Sequence, residues 1–241
     1  MTPYRIERPR DSQDLAPRAA PTHASYLDLA LDQRDRAQLA LSGGSTPAVA
    51  YGLLGQEHLP WERVDVFLGD ERWVDGNDAS SNARMLRQTL LHQAPGSHAA
   101  FHPVPTVSLP TPEDSAAAFQ AAIQKVCPGE PPIFDLMVLG LGEDGHTASL
   151  FPGTEAPTVT DRWTTVGRGK GLERITLTAP VLSASRQVIF LVSGAGKAQA
   201  LARLLDPAES PQRTPAKLVT PRTEVLVLAD EAALAGGAAA G

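Results

Sequence analysis

The stretch FDLMVLGLGEDGHTASLFPG, residues 134–153, decides the fold. It begins with an almost wholly apolar run, Asp135–Gly140, that lacks the alternation expected of a strand with one solvated face. Such runs are typical of parallel strands that helices cover on both sides. Four further runs have the same character: residues 38–42, 64–69, 187–193 and 225–229. Helical patterns lie between them, which predicts an α/β fold with a mostly parallel, twisted sheet and helices on both faces.

The helical patterns occupy five segments: residues 12–34, 48–54, 82–91, 112–126 and 197–205. Thr46 and Pro47 have the character of an N-cap followed by a proline at the first helical position. The alternating segment Arg174–Thr178 predicts an edge or antiparallel strand. Since no long linker divides the chain, we expect one domain over residues 1–234 and a low-complexity tail at residues 235–241.

Composition excludes several classes of protein. A hydrophobic content of 42% over 241 residues is enough for a globular core. With 21 Lys and Arg against 27 Asp and Glu, the formal charge of −6 argues against a nucleic-acid surface. The lone Cys127 cannot form an internal disulfide, and no apolar run is long enough to span a membrane or serve as a secretory signal. We expect a cytoplasmic monomer or small homo-oligomer with no nucleic-acid or membrane partner.

A glycine-rich turn, LSGGSTP at residues 41–47, joins a predicted strand to a predicted helix. Gly43 and Gly44 permit close approach of the backbone to an anion, and the helix N-terminus with Ser45 supplies donors. The sequence alone also allows an ordinary turn there. The turn contains no GxxxxGK[ST] pattern of a Walker loop.

Two cations follow other predicted strands. Arg72, in the GDERW segment, has a guanidinium suited to a phosphate or a carboxylate. Lys197, in SGAGK, lies in the first turn of a predicted helix, where a cation is unfavourable unless an anion lies opposite. Solvated side chains are the alternative at both positions.

Gly140, Gly142 and Gly145 form a formal GxGxxG pattern. A dinucleotide site also needs a full helix after the third glycine and an acidic residue about 20 positions later. Here Pro152 interrupts the segment and no acid ends the next strand, so we reject a dinucleotide cofactor.

The loop after the predicted strand Asp135–Gly140 carries Asp144 and His146. A carboxylate two residues before an imidazole can orient the ring and make it a better proton acceptor. The alternative is a surface Asp-Gly turn followed by a histidine that bonds to a backbone carbonyl.

Taken in order, these motifs strongly resemble the 6-phosphogluconolactonase family. The resemblance spans about residues 38–205 through six segments: LALSGGSTP, VFLGDERWV, SSNARML, FDLMVLGLGEDGHTASLFPG, RITLTAPVL and SGAGK. That family is similar to the glucosamine-6-phosphate deaminases, whose DGHIAFNEP-type loop has a glutamate five residues after the histidine. Here that position is Phe151, which cannot transfer protons, so the lactonase interpretation is favoured. Asp75 departs from the proline often found there in lactonases.

The resemblance implies hydrolysis of 6-phospho-D-glucono-1,5-lactone to 6-phosphogluconate, in the oxidative branch of the pentose phosphate pathway. In that reaction we assign the general base to His146 and its orientation to Asp144. The expected phosphate site comprises a loop and two cations: Gly43, Gly44, Ser45, Arg72 and Lys197. Arg72 facing the lactone carbonyl is an open alternative.

The amides of Gly142 or Gly145 are candidate donors to the oxyanion that develops in this reaction. Ester hydrolysis transfers no electrons and the sequence has no ligand cluster, so neither a metal nor an organic cofactor is expected. Two other functions stay open: a deaminase or isomerase of an amino-sugar phosphate, and a sugar-phosphate sensor without catalysis.

Overall fold

The computed structural model describes residues 2–237. These residues form ten strands: β1 (Tyr4–Glu7), β2 (Ala37–Leu41), β3 (Val64–Leu68), β4 (Asp70–Arg72), β5 (Ala100–Phe101), β6 (Leu136–Gly140), β7 (Thr164–Gly169), β8 (Leu172–Leu177), β9 (Gln187–Val192) and β10 (Val225–Ala229). They form seven α-helices: α1 (Ser12–Gln33), α2 (Ser45–Leu54), α3 (Asn82–Gln88), α4 (Pro112–Val126), α5 (Ala179–Ala184), α6 (Ala198–Leu205) and α7 (Glu231–Leu234).

Seven strands form the central sheet in the order β1-β10-β9-β6-β2-β3-β5, and every neighbouring pair is parallel. The expected α/β fold with a mostly parallel sheet is therefore confirmed. Strands β2, β3 and β10 are buried at every residue because helices cover both faces of the sheet.

The direction of each crossover decides which face a helix covers. The chain moves one way across the sheet from β1 through β2 to β3, and the opposite way from β5 to β6 and from β9 to β10. Right-handed crossovers in opposite directions place their helices on opposite faces. Helices α1 and α2 accordingly pack together on one face. The same rule assigns α4 and α6 to the other face.

A second sheet, ordered β4-β8-β7, is antiparallel. One residue, Gly69, separates β4 from the end of β3, so this small sheet begins at the carboxyl edge of the large one. The antiparallel strand expected at Arg174–Thr178 is confirmed as part of β8. The edge alternative is wrong, because β8 lies between β4 and β7.

Helix α2 begins two residues earlier than the sequence suggested. Gly44 is its N-cap, with a φ of 119°, and its carbonyl accepts a hydrogen bond from the Ala48 N–H at 3.1 Å. The expected N-cap at Thr46 is wrong, since Thr46 lies inside the helix. Glycine adopts this positive φ without the steric penalty that a side chain brings.

The proposed end of the domain falls close to the end of the described chain. Helix α7 is followed by a short 3₁₀ turn, Ala235–Gly237, and residues 238–241 of the expected tail lie outside the described residues. The division into one domain and a tail stays a prediction. Among residues 2–237, no helix combines the length and the apolar character needed to cross a membrane.

Candidate active site

The site lies at the carboxyl edge of the large sheet, where β2 and β6 are neighbours. From β2 the chain turns toward β3, whereas from β6 it turns toward β9 on the other side. The loops after the two strands diverge and leave a crevice, the usual place for a ligand in an open α/β sheet. A pocket of about 230 Å³ occupies it. Gly43 and Gly44 line one side, and Gly142 and His146 line the other.

Asp144 and His146 form a hydrogen-bonded pair, as their spacing predicted. The Asp144 Oδ1 atom bonds to the His146 ring at Nδ1 and also accepts the His146 backbone N–H at 3.1 Å. Since a carboxylate only accepts hydrogen bonds, Nδ1 carries the proton and Nε2 keeps its lone pair. The His146 side chain is 15% exposed, so the ring is nearly enclosed but still borders the pocket.

The charge states of this pair suit proton abstraction. Burial lowers the pKa of His146 below its ordinary value, and the hydrogen bond that its ring donates to Asp144 only partly opposes that effect. Burial would raise the pKa of Asp144, but the hydrogen bonds from His146 outweigh it and leave that pKa lowered. At neutral pH the imidazole is therefore neutral and the carboxylate ionised.

Gly142 is required for the pair to form. A Cβ atom at this position would lie 2.0 Å from His146 Nδ1 and 2.6 Å from Asp144 Oδ1. Gly145 has a φ of 91°, in the left-handed region that favours glycine. Together the two glycines allow the loop to fold back on itself and place the carboxylate against the ring.

The expected oxyanion role of the Gly142 and Gly145 amides is wrong. The Gly142 N–H donates to the His146 carbonyl at 2.8 Å, and the Gly145 N–H donates to the Gly142 carbonyl at 2.9 Å. Both donors are used to build the loop, so neither is free for a substrate.

The glycine turn after β2 has free donors instead. Within residues 2–237, the N–H groups of Gly43 and Gly44 donate no hydrogen bond, and the first amides of α2 have no acceptor within the helix. The Asn82 side chain lies against this turn, because a Cβ at Gly43 would be 2.0 Å from its Oδ1. Ser45 is exposed at the start of α2 and does not line the pocket.

Four cationic side chains line the pocket. Sequence motifs indicated two of them, Arg72 and Lys197, and the structure adds Arg174 and Lys170. Asp70 faces the same pocket and lies 3.7 Å from Arg174 Nη1. The excess of positive charge makes the pocket suitable for an anion.

Comparisons with known proteins agree with this geometry. The family described as "Glucosamine-6-phosphate isomerases/6-phosphogluconolactonase" matches residues 10–228. A 6-phosphogluconolactonase of Synechocystis sp. is 42% identical over 226 residues, covering 92% of this chain and 94% of the relative. The 6-phosphogluconolactonase of Rattus norvegicus is 36% identical over 91% of this chain and 86% of its own length.

The chain belongs to the glucosamine-6-phosphate isomerase/6-phosphogluconolactonase family. The solved structure of 6-phosphogluconolactonase from Trypanosoma brucei superposes with a TM-score of 0.86 at 28% identity, covering 97% of this chain and 98% of the other. A monomeric glucosamine-6-phosphate deaminase superposes with a TM-score of 0.79 at 19% identity, over 96% of this chain and 99% of the other. The lactonase and the deaminase structures therefore share the fold of this chain.

Phe151 gives this family member an apolar wall beside its histidine. The Phe151 ring centroid lies 4.4 Å from the His146 ring centroid. The Arg174 guanidinium lies over the same Phe151 ring, with its Cζ atom 5.3 Å from the Phe151 centroid. The phenyl group excludes water from part of the imidazole and contributes to the burial that lowers the pKa of His146. No group at this position can exchange a proton.

Five polar or charged residues that line the pocket were not assigned to the site from the sequence: Ser42, Asp70, Asn82, Lys170 and Arg174. The pairing of β4 with β8 sets Arg72 opposite Arg174, and this antiparallel register brings Arg174 to the pocket. The one available signal was the RITLT pattern itself, because a charged residue at the start of a buried strand requires a partner.

Proposed function

We propose that this chain hydrolyses 6-phospho-D-glucono-1,5-lactone to 6-phosphogluconate, the lactone step of the oxidative pentose phosphate pathway, with His146 as the general base. The observation that carries the proposal is the Asp144–His146 pair at the wall of a cation-lined pocket. The names of the curated relatives supply the substrate. The chain is an enzyme that hydrolyses a lactone ester.

The reaction begins with a water molecule between His146 and the lactone carbonyl carbon. His146 Nε2 takes a proton as the water oxygen attacks, and Asp144 stabilises the imidazolium that forms. The electron pair of the carbonyl bond moves onto oxygen. When the tetrahedral intermediate collapses, the ring C–O bond breaks and His146 returns the proton to the leaving alkoxide. The product carboxylic acid then loses its own proton.

The phosphate binds at the opposite end of the pocket. The free amides of Gly43 and Gly44 and the dipole of α2 favour an anion there. Lys197 lines the same pocket from the segment after β9.

Arg72 is assigned to this phosphate end. Its Nη1 atom donates to the Ser80 carbonyl, which fixes the guanidinium beside the segment that carries Asn82. Asn82 lies against Gly43, so that segment borders the glycine turn.

A deaminase is the second candidate because a glucosamine-6-phosphate deaminase has the same fold. The apolar ring of Phe151 on His146 speaks against it, since ring opening of an aldose requires a further acid–base group. A sensor without catalysis leaves the ordered Asp144–His146 pair unexplained.

One assay separates the three functions. The lactone is generated in situ from glucose 6-phosphate, its disappearance is followed with and without the protein, and spontaneous hydrolysis is subtracted. Acceleration supports the lactonase, ammonium release from glucosamine 6-phosphate supports the deaminase, and binding without turnover supports the sensor.

A further inference from the structure

Lys170 occupies an unusual backbone position at the rim of the pocket. It is the first residue of the two-residue turn between β7 and β8, whose flanking residues Gly169 and Leu172 are paired. Its φ is 54° and that of Gly171 is 76°. Turns with two positive φ values favour Asn and Gly, and a lysine in the left-handed region is uncommon. Lys170 therefore occupies a position where turn geometry alone favours another residue.

The hairpin that carries Lys170 is fixed against the catalytic loop. A Cβ at Gly167 would lie 2.5 Å from the Ser149 carbonyl oxygen, and a Cβ at Gly169 would lie 2.5 Å from the Phe151 ring. The Phe151 ring in turn contacts the His146 ring. Two glycines of β7 thus bring the hairpin into direct contact with residues 149–151 and set the distance from the turn to His146.

Lys170 lines the pocket with His146, and its ammonium is uncommitted. Within residues 2–237 it has no ion pair and no side-chain hydrogen bond, whereas Arg72 bonds to the Ser80 carbonyl and Arg174 lies between Asp70 and Phe151. The N–H groups of Gly142, Gly145 and His146 donate to acceptors within the histidine loop. Lys170 is therefore available as a cationic donor to the oxyanion at the histidine end of the pocket.

We propose that the Lys170 ammonium contacts the lactone carbonyl oxygen and stabilises the negative charge that develops there as water attacks. The inference rests on the proposed function. It divides the pocket into two ends: Lys197 and the Gly43-Gly44 turn hold the phosphate, and Lys170 acts beside His146 at the reacting ester. No proton or bond changes at Lys170, which contributes charge only.

The test compares Lys170→Asn and Lys170→Arg with the wild-type enzyme. Asparagine tolerates the left-handed turn, so Lys170→Asn should unfold at the same temperature or a higher one. Its kcat should fall about 100-fold, the usual loss when one oxyanion donor is removed. Inhibition by inorganic phosphate should be unchanged, whereas Lys197→Gln should weaken it. Lys170→Arg keeps the charge, so its kcat should be at least about tenfold higher than that of Lys170→Asn.

Arg168→Gln is the matched control. Arg168 is on the same hairpin but outside the pocket, where it pairs with Glu113 and Glu173, so this variant should keep the wild-type kcat. A second measurement follows the His146 imidazole by NMR. The charged groups that act on this ring are Asp144, Asp70 and Lys170. Removing the Lys170 charge should raise the pKa of His146, and Arg168→Gln should leave it unchanged.

A Lys170→Asn enzyme with wild-type kcat would overturn the inference and leave the lactonase function intact. Equal losses in Lys170→Asn and Lys170→Arg would also overturn it, because the role would then be structural. If the wild-type protein itself fails to accelerate hydrolysis, the proposed function fails instead.

Discussion

His146 combines a neutral ring with a fixed tautomer, which a base acting at neutral pH needs. Replacing it with alanine removes the proton acceptor and leaves the phosphate end of the pocket in place. His146→Ala should therefore lower kcat by roughly 100-fold or more, with inhibition by inorganic phosphate nearly unchanged. Steady-state kinetics on lactone generated in situ measure both quantities. A fully active variant would remove His146 from the mechanism.

Gly142 provides a second test on a single residue, because the Asp144–His146 pair requires a glycine there. Because a Cβ there overlaps His146 Nδ1 and Asp144 Oδ1, Gly142→Ala must separate the catalytic pair. We expect kcat to fall by at least about tenfold, since orientation of the base is lost. The matched control is Gly52→Ala in α2, where a Cβ meets no atom within 4 Å. This control should keep its activity and gain about 0.4–1 kcal/mol of stability. Equal kcat values in the two variants would contradict the steric argument.

The sequence was informative about residues whose roles depend on local spacing. Asp144 and His146 meet because they are two positions apart in one tight loop, and Gly43 and Gly44 follow a strand directly. Lys170 and Arg174 reach the pocket only through the antiparallel pairing of β7 and β8 with β4. Such pairing joins segments about 100 residues apart in the chain, and no local pattern encodes it.

Among the elements, α3 shows how a buried carboxylate positions a residue that lines the pocket. The Glu71 carboxylate on β4 accepts the backbone N–H groups of Asn82 at 2.8 Å and Ala83 at 2.7 Å, and the Ser81 hydroxyl at 3.0 Å. Burial raises the pKa of Glu71, and these hydrogen bonds oppose the rise. The carboxylate thereby anchors the helix N-terminus that carries Asn82 to the glycine turn.

Glu71→Gln should therefore destabilise the protein. The amide NH₂ group of glutamine would face backbone donors, and one of them would lose its acceptor at a cost of about 1–3 kcal/mol in the free energy of unfolding. Urea unfolding followed by circular dichroism measures this change. Glu113→Gln, at an exposed ion pair with Arg168, is the control and should change stability by less than about 0.5 kcal/mol. Equal effects would show that Glu71 does not anchor α3.

The elements that the sequence predicted share one property, a continuous apolar or amphipathic pattern. The five buried strands and the long helix α4 were located within a residue or two. Strands β1 and β5 were not predicted, since they have four and two residues and are only partly buried. Strand β4 was not predicted, because three consecutive charged residues give no strand signal until β8 pairs with them.

At the scale of the whole molecule, the formal charge of −6 opposes the binding of a phosphorylated substrate. The fold reverses this locally by bringing four cationic side chains to one crevice from different parts of the chain. The pocket thus attracts an anion because cationic side chains are concentrated around it, although the net charge of the protein is negative. Net charge alone indicated which partners to exclude and gave no sign of the substrate.

His23 couples the stability of the whole fold to pH. It is fully buried on α1, neither ring nitrogen has a hydrogen-bond partner within residues 2–237, and burial lowers its pKa to about 3. The unfolded chain binds a proton at this residue below about pH 6.5, whereas the folded chain does not until about pH 3. Between those values the unfolded state holds more protons, so stability falls as the pH falls.

The loss attributable to His23 should be about 2 kcal/mol between pH 7 and pH 5, from a slope of about 1.4 kcal/mol per pH unit. Urea unfolding at both pH values measures it. His23→Leu should remove that part of the loss, and the remainder includes His146, whose pKa is also lowered. His98→Gln, at an exposed histidine, is the control and should retain the wild-type slope. If His23→Leu keeps the full pH dependence, the buried imidazole does not control acid stability.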